Sequence, residues 1–334
     1  MRPEANAAAE VRHLADSGRG GEALSAARGG SLGVLRALRG AFAGGALSPH
    51  WLADAHLPPP RCDEDHLLDA LARARAGEDM TEVRGRLAAR DGRRLDTAFG
   101  SRHPVRAIAI APLLARFDAL APDLLLPRGT LRAVLASEAE RDPTAWLRLA
   151  GLRHPDDAAA LLAARTTAGR RGDHTILEAM GVHGDPRSTA ALQGALHARD
   201  IDPARGFIQR RLAADGLGRL GLAQGERLLL RALDDERTDF EGRPGAGLGI
   251  QYPVRANLLW ALGELGSTRS IPTLIGYLGN STGSAFGGFY LPAMDALVRI
   301  GAAARPALQR AAQGAHPEAA ANARCVLTAI AGEP

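Results

Sequence analysis

Four segments of the chain align without gaps: EAMGVHGDPRSTAALQGAL (178–196), DGLGRLGLAQGERLLLRAL (215–233), WALGELGSTRSIPTLIGYL (260–278) and DALVRIGAAARPALQRAAQ (295–313). Each has an apolar helix end, a Gly-containing stop, a short turn and a second helix with Leu at helical spacing. The equivalent glycines, Gly184, Gly221, Gly266 and Gly301, lie 37, 45 and 35 residues apart. This self-similarity constrains the fold more than any other feature. A helix pair of this kind has one apolar face that it cannot bury alone, and stacking the copies buries a continuous core. The stop glycines are expected to supply left-handed C-caps, and the small Ala and Gly residues to let neighbouring helices approach closely. A fainter copy, WLRLAGLRHPDDAAALLAA (146–164), precedes the four, and HPVRAIAIAPLLARF (103–117) echoes YPVRANLLWALGEL (252–265).

The best copy is PVRANLLWALGELGSTRSIPTLIGYL, with Val-Arg opening a helix, an Ala-Leu-Gly-x-Leu-Gly close and a Pro-containing second helix. This pattern resembles the bacterial HEAT-like repeat of the phycobilisome-lyase type, closely over 146–330 and loosely over 103–145. The resemblance implies an all-α, right-handed solenoid and is almost silent about activity, since such solenoids mostly bind things. Residues 101–334 are therefore expected to form the array. Residues 1–100 are expected to form an irregular helical cap, loosely ordered at its Gly-rich start, with helices over 32–45, 66–77 and 81–99 and a break at the prolines of LPPPRCDED (57–65).

The array departs from its own rule at 197–206, 234–253 and 279–290, where three consecutive units carry enlarged stretches, assigned to the turn between the two helices of a unit. Equivalent loops of a solenoid project from one edge, so these are expected to share one surface. Of 13 aromatic residues, seven fall within 240–290: Phe240, Tyr252, Trp260, Tyr277, Phe286, Phe289 and Tyr290. Aromatic anchors among Gly-rich loops suit a binding surface; a local mini-core folding the inserts down is the alternative. Alignment on the glycines makes Glu178, Asp215, Trp260 and Asp295 equivalent, and likewise Val182, Arg219, Glu264 and Arg299 one turn later. Both sets are expected to face outward from the concave helices, with Asn257 beside them. A solvated polar face with i,i+4 pairs Asp215–Arg219 and Asp295–Arg299 is the plainer account of the charged members. Arg210 and Arg255 match the usual helix-start Arg of the repeat and are expected to be structural.

Composition removes several chemistries. All 41 basic residues are Arg, which excludes a Schiff base, a pyridoxal aldimine and a Walker A lysine. Two cysteines, Cys62 and Cys325, exclude a disulfide scaffold and a Cys-rich zinc module. The opening residues show no apolar core behind a basic flank and no run approaches a membrane span, so a cytoplasmic location is expected. GLGRLG (216–221) matches a dinucleotide fingerprint in letters alone, since it follows a helix and is the repeat's own stop. GGSLG and GNSTG match a nucleophile elbow without a strand context. His50, His56, Cys62 and His66 fit no zinc spacing, and DDERTDFE (234–241) lacks the calcium-loop pattern. His174 and His183 flank one repeat helix, His183 as a satisfied core residue. No cofactor or metal is expected.

Three functions remain. The first is a non-enzymatic scaffold that grips a protein or peptide partner with the concave face and the 234–253 and 279–290 loops, through Trp260, Glu264, Asn257, Tyr252, Phe286, Phe289, Tyr290, Arg219 and Arg299. The second is an enzyme on the same frame, acting on a small molecule, with Glu178, Asp215 and Asp295 as acid or base beside Trp260. HEAT-like solenoids include chromophore lyases and alkylpurine DNA glycosylases, but no motif of either is present. The third is nucleic-acid binding through residues 73–106, which hold nine Arg against five Asp or Glu.

Overall fold

The computed structural model describes residues 3–48, 51, 55, 57–60, 62–99, 113–124, 128–139, 142, 144–167, 173–198, 203–241, 248–280 and 290–331. The array begins with helix α8 (Ala145–Gly151). The first helices of successive units are α8, α10 (Asp173–His183), α12 (Pro203–Leu220), α14 (Leu248–Glu264), α16 (Tyr290–Ile300) and α18 (Pro317–Ala331). Each packs on the next, forming one layer. The second helices, α9 (Pro155–Thr167), α11 (Thr189–Leu196), α13 (Ala223–Glu241), α15 (Ile271–Tyr277) and α17 (Arg305–Ala312), form the other. No strand occurs among the described residues. One continuous apolar core runs from Ala150 to Ile330.

In three of the four aligned copies two glycines have separate tasks. The second lies in the left-handed region, as at Gly221 (φ 67°) and Gly266 (φ 60°), and closes the first helix. The first sits where two helices of the inner layer touch. A Cβ on Gly218 would lie 2.9 Å from the Ala261 Cα, and one on Gly263 2.6 Å from the Ala296 Cα. In the faint first copy the stop is Arg153, the one non-Gly residue with positive φ (52°) among the described residues.

Within a unit the turns are short: 184–188, 221–222, 266–270 and 301–304. The enlarged stretches lie at the other connections, which lead from each second-layer helix to the next first-layer helix. Much of the second one is helical, since α13 runs through Glu241 and α14 starts at Leu248. DDERTDFE is thus a helix end.

Residues before the array form α1 (Pro3–Asp16), α2 (Gly20–Ala27), α3 (Leu32–Ala43), α4 (Asp63–Arg75), α5 (Met80–Phe99), α6 (Leu113–Leu124) and α7 (Arg128–Ala139). The Gly-rich start forms helix α2, whose Ala23, Leu24 and Ala27 are buried with Val11, Leu14, Val34 and Leu38 in a core of their own. A second core joins α4, α5 and α6 to α8. A cap on the first unit would touch that unit alone. Here α1 reaches the turn at 186–188, and α5 packs on α16 and α18 at the far end of the array. The N-terminal region lies across the layer of first helices.

Replacing Gly218 by Val forces α12 away from α14, and we expect a loss of about 1–3 kcal/mol by urea unfolding. Gly194→Ala, where a Cβ meets nothing within 4 Å, is expected to be neutral or stabilising.

Candidate functional site

The N-terminal region is fixed to the array by charge. Helix α4 opens with three consecutive carboxylates, Asp63, Glu64 and Asp65, each at most 2% exposed. Acidic residues suit the first turn of a helix, where backbone N–H groups are unpaired. Here each also meets arginine. Arg299 lies 2.9 Å from Asp63, Arg36 lies 3.0 Å from Asp65, and Glu64 takes Arg116 at 2.7 Å and Arg153 at 2.5 Å. Glu264, fully buried on α14, accepts from the Glu64 backbone N–H at 3.2 Å and from Arg299 at 3.2 Å. It therefore caps α4 from across the interface.

Arginines also close the ends of the inner helices. Arg36 donates to the carbonyls of Gly218 (2.8 Å) and Glu264, and Arg12 to those of His183 (3.3 Å) and Gly184. These carbonyls are the ones a helix leaves unpaired at its C-terminus, and a cation there also meets the negative end of the dipole. The positive φ of Arg153 is held by the reach of its side chain to Glu64.

Burial raises the Glu64 carboxyl, and Arg116 and Arg153 beside it more than reverse this, holding it at about 2. Burial draws Arg153 down to about 10. Burial likewise depresses His66 and His183 to about 3, so both are neutral, and His183 Nε2–H donates to the His154 carbonyl at 2.7 Å.

This arrangement corrects the expectation of an open concave face. Val182, Arg219, Glu264 and Arg299 are all buried, because α3 and α4 lie over the ends of the helices that carry them. Trp260 is 5% exposed and flanked by Arg299 (4.9 Å from guanidinium carbon to ring centre) and Arg219 (5.8 Å). Asp295 is fully buried and ion-paired with Arg299 at 2.6 Å, as expected of the i,i+4 pair. The second expected pair does not form. Asp215 instead accepts from Asn257 at 2.5 Å, and Arg219 keeps no hydrogen-bonded or ion-paired side-chain partner among the described residues. Glu178 and Asp215 remain half-buried. Burial raises the Asp215 carboxyl, while burial and the nearby Arg116 lower the Arg219 guanidinium. Of the three carboxylates considered as acid or base, Asp215 and Glu178 come together and Asp295 belongs to the buried ion network. Tyr290 is half-buried against the core and Tyr277 is buried. The side chains of Phe240 and Tyr252, and all of Phe286 and Phe289, lie outside the described residues.

In the basic stretch 73–106, Arg73 and Arg86 pair with Glu78, Arg86 also with Glu82, Arg84 with Asp118 on α6, and Arg75 donates to the Ala43 carbonyl at 3.2 Å. Arg210 donates to the Ala198 carbonyl. No group of three His, Cys, Asp or Glu able to hold a metal occurs among the described residues. No helix among them is long and apolar enough to cross a membrane.

Residues 254–280, covering most of α14 and all of α15, match the PBS lyase HEAT-like repeat. The chain carries a HEAT-like repeat at these residues. The Gly-x-x-Gly close of the HEAT-like unit thus coincides with the helix contact and the stop described above. No curated protein matches the chain.

Two outcomes follow from the ion network. Arg153→Gly relaxes the backbone by about 1 kcal/mol, but leaves the buried Glu64 short of one cation at about 3 kcal/mol or more. The variant is expected to be less stable by chemical denaturation. The depressed His66 and His183 bind protons in the unfolded chain but not in the folded one between about pH 6.5 and 3. Each lowers stability by up to about 1.4 kcal/mol per pH unit on acidification across that window. Glu64 adds a loss in the same direction as pH falls from its ordinary range towards 2. His183→Gln is expected to flatten the measured slope.

Proposed function

We propose that this protein is a cytoplasmic, non-catalytic scaffold, a right-handed HEAT-like solenoid that holds a protein or peptide partner. The observation that carries this reading is the placement of the long connections. Because α12, α14 and α16 pack in succession, the starts of α14 and α16 at Leu248 and Tyr290 fall on neighbouring rungs of one edge. Tyr290, half-buried at the start of α16, lies at that edge. This supports the composite surface expected from Tyr252, Phe286, Phe289 and Tyr290. It moves the partner's seat from the concave face, where Trp260, Glu264, Asn257 and Arg299 are buried, to the rim.

An enzyme on this frame is the second reading. The half-buried pair Asp215 and Glu178, with the Asp215 carboxyl raised by burial, favours it. Against it, Asp295 is locked to Arg299 and Trp260 is flanked by two guanidiniums. Nucleic-acid binding has less support, because Arg73, Arg84 and Arg86 are each paired with a carboxylate.

The test is affinity capture from the native extract with wild type, a Tyr290→Ala/Phe289→Ala double variant and an Asp215→Asn variant. A rim scaffold retains a protein that the double variant loses and Asp215→Asn keeps. Loss in Asp215→Asn alone, or retention of a small molecule in place of a protein, rejects the scaffold in favour of the enzyme.

A further inference from the structure

Several buried or half-buried arginines among the described residues are held by carboxylates. Arg36, Arg39, Arg116, Arg153 and Arg299 all meet carboxylates within 4 Å. Arg219 is 7% exposed and lies over the Trp260 ring (5.8 Å), with a fully buried Nε that has no hydrogen-bond partner and no ion pair to a carboxylate among the described residues. A buried charge without a partner is costly, and native structures rarely keep one without a use. Beside it, the Trp260 indole N–H is also buried and unpartnered. Two donors, one of them a fork suited to planar oxygens, are thus left pointing at no acceptor.

The Arg219 guanidinium runs past Gly181 on α10, where a Cβ would lie 3.8 Å from Nη1. At the more open side stand Glu178, one turn before Gly181, and Asp215, one turn before Arg219, both half-buried and neither ion-paired. Arg116 stands nearby and is already engaged by Glu64 at 2.7 Å. The site therefore offers a buried cation and two peripheral carboxylates that do not neutralise it by contact. A phosphate or sulfate would be repelled by Asp215 and Glu178, and a bare amine would leave Arg219 unpaired. A molecule carrying a carboxylate and an ammonium group a few bonds apart satisfies both.

We propose that Arg219, Trp260, Asp215 and Glu178 form a binding site for a small aminocarboxylate of the α-amino-acid class. The carboxylate is received by the Arg219 guanidinium and the Trp260 N–H, and the ammonium by Asp215 and Glu178. The site is separate from the rim surface and does not depend on the scaffold reading.

The test is thermal unfolding of the full chain with millimolar amounts of each standard amino acid, and with acetate, methylamine and inorganic phosphate at matched ionic strength. At least one amino acid is expected to raise the midpoint by roughly 2 °C or more, with no such rise from the three half-probes. Arg219→Met is expected to abolish the rise while leaving the ligand-free midpoint unchanged or higher. A merely structural arginine would lose stability instead. Glu178→Gln keeps the test decisive if that variant does not fold: it should weaken the amino-acid effect and leave acetate no weaker. No rise with any amino acid, an equal rise with acetate or phosphate, or a rise that survives both substitutions overturns the proposal.

Discussion

The carboxylates at the start of α4 hold this molecule in one piece. Asp63, Glu64 and Asp65 are adjacent in sequence, yet their arginine partners come from α3, α6, α16 and the turn after α8. Ion pairs of this kind cost desolvation, and an apolar interface of the same shape could be as stable. What they add is position. A three-carboxylate helix start fits one register of facing arginines, and Glu264 fixes the axis of α4 by accepting from the Glu64 N–H. The apolar cores on either side of this polar seam are separate clusters. The seam decides how they sit together.

The array was legible because its information is local. A stop glycine, a helix-contact glycine three residues earlier and Leu at helical spacing all lie within one 19-residue window. The short turns follow from the same window. The long stretches stand outside this window, at the connections that lead from each second-layer helix to the next first-layer helix, and the helices on either side of them pack more closely than those joined by the short turns.

The site was legible in its residue types and not in its surroundings. Trp260, Glu264, Arg219 and Arg299 were picked out as variable positions on the inner helices, which they are. Their burial depends on residues about 200 positions earlier, as in the Glu64–Glu264 contact. The sequence did hold one sign of this. CDED before an apolar helix places three acids in a first turn, and a run of charges so close to Leu67 and Leu68 is hard to leave in solvent. Read as part of a proline break, it lost that meaning. Arg153 in the place of a stop glycine was a second sign, an exception whose cause is its partner Glu64.

The crossing of α1–α5 over the array changes the order in which the chain can complete itself. A plain solenoid can zip up one unit at a time, each needing its neighbour alone. Here Asp63 and Glu64 emerge early in synthesis, while Glu264 and Arg299 follow after some 200 residues or more. At ordinary elongation rates that is a wait of roughly ten seconds to a minute. During it, the acidic start of α4 and the arginines of α3 have each other but not their distant partners. The growing chain holds an unfinished polar seam until the last units arrive, and its final docking step is a long-range one.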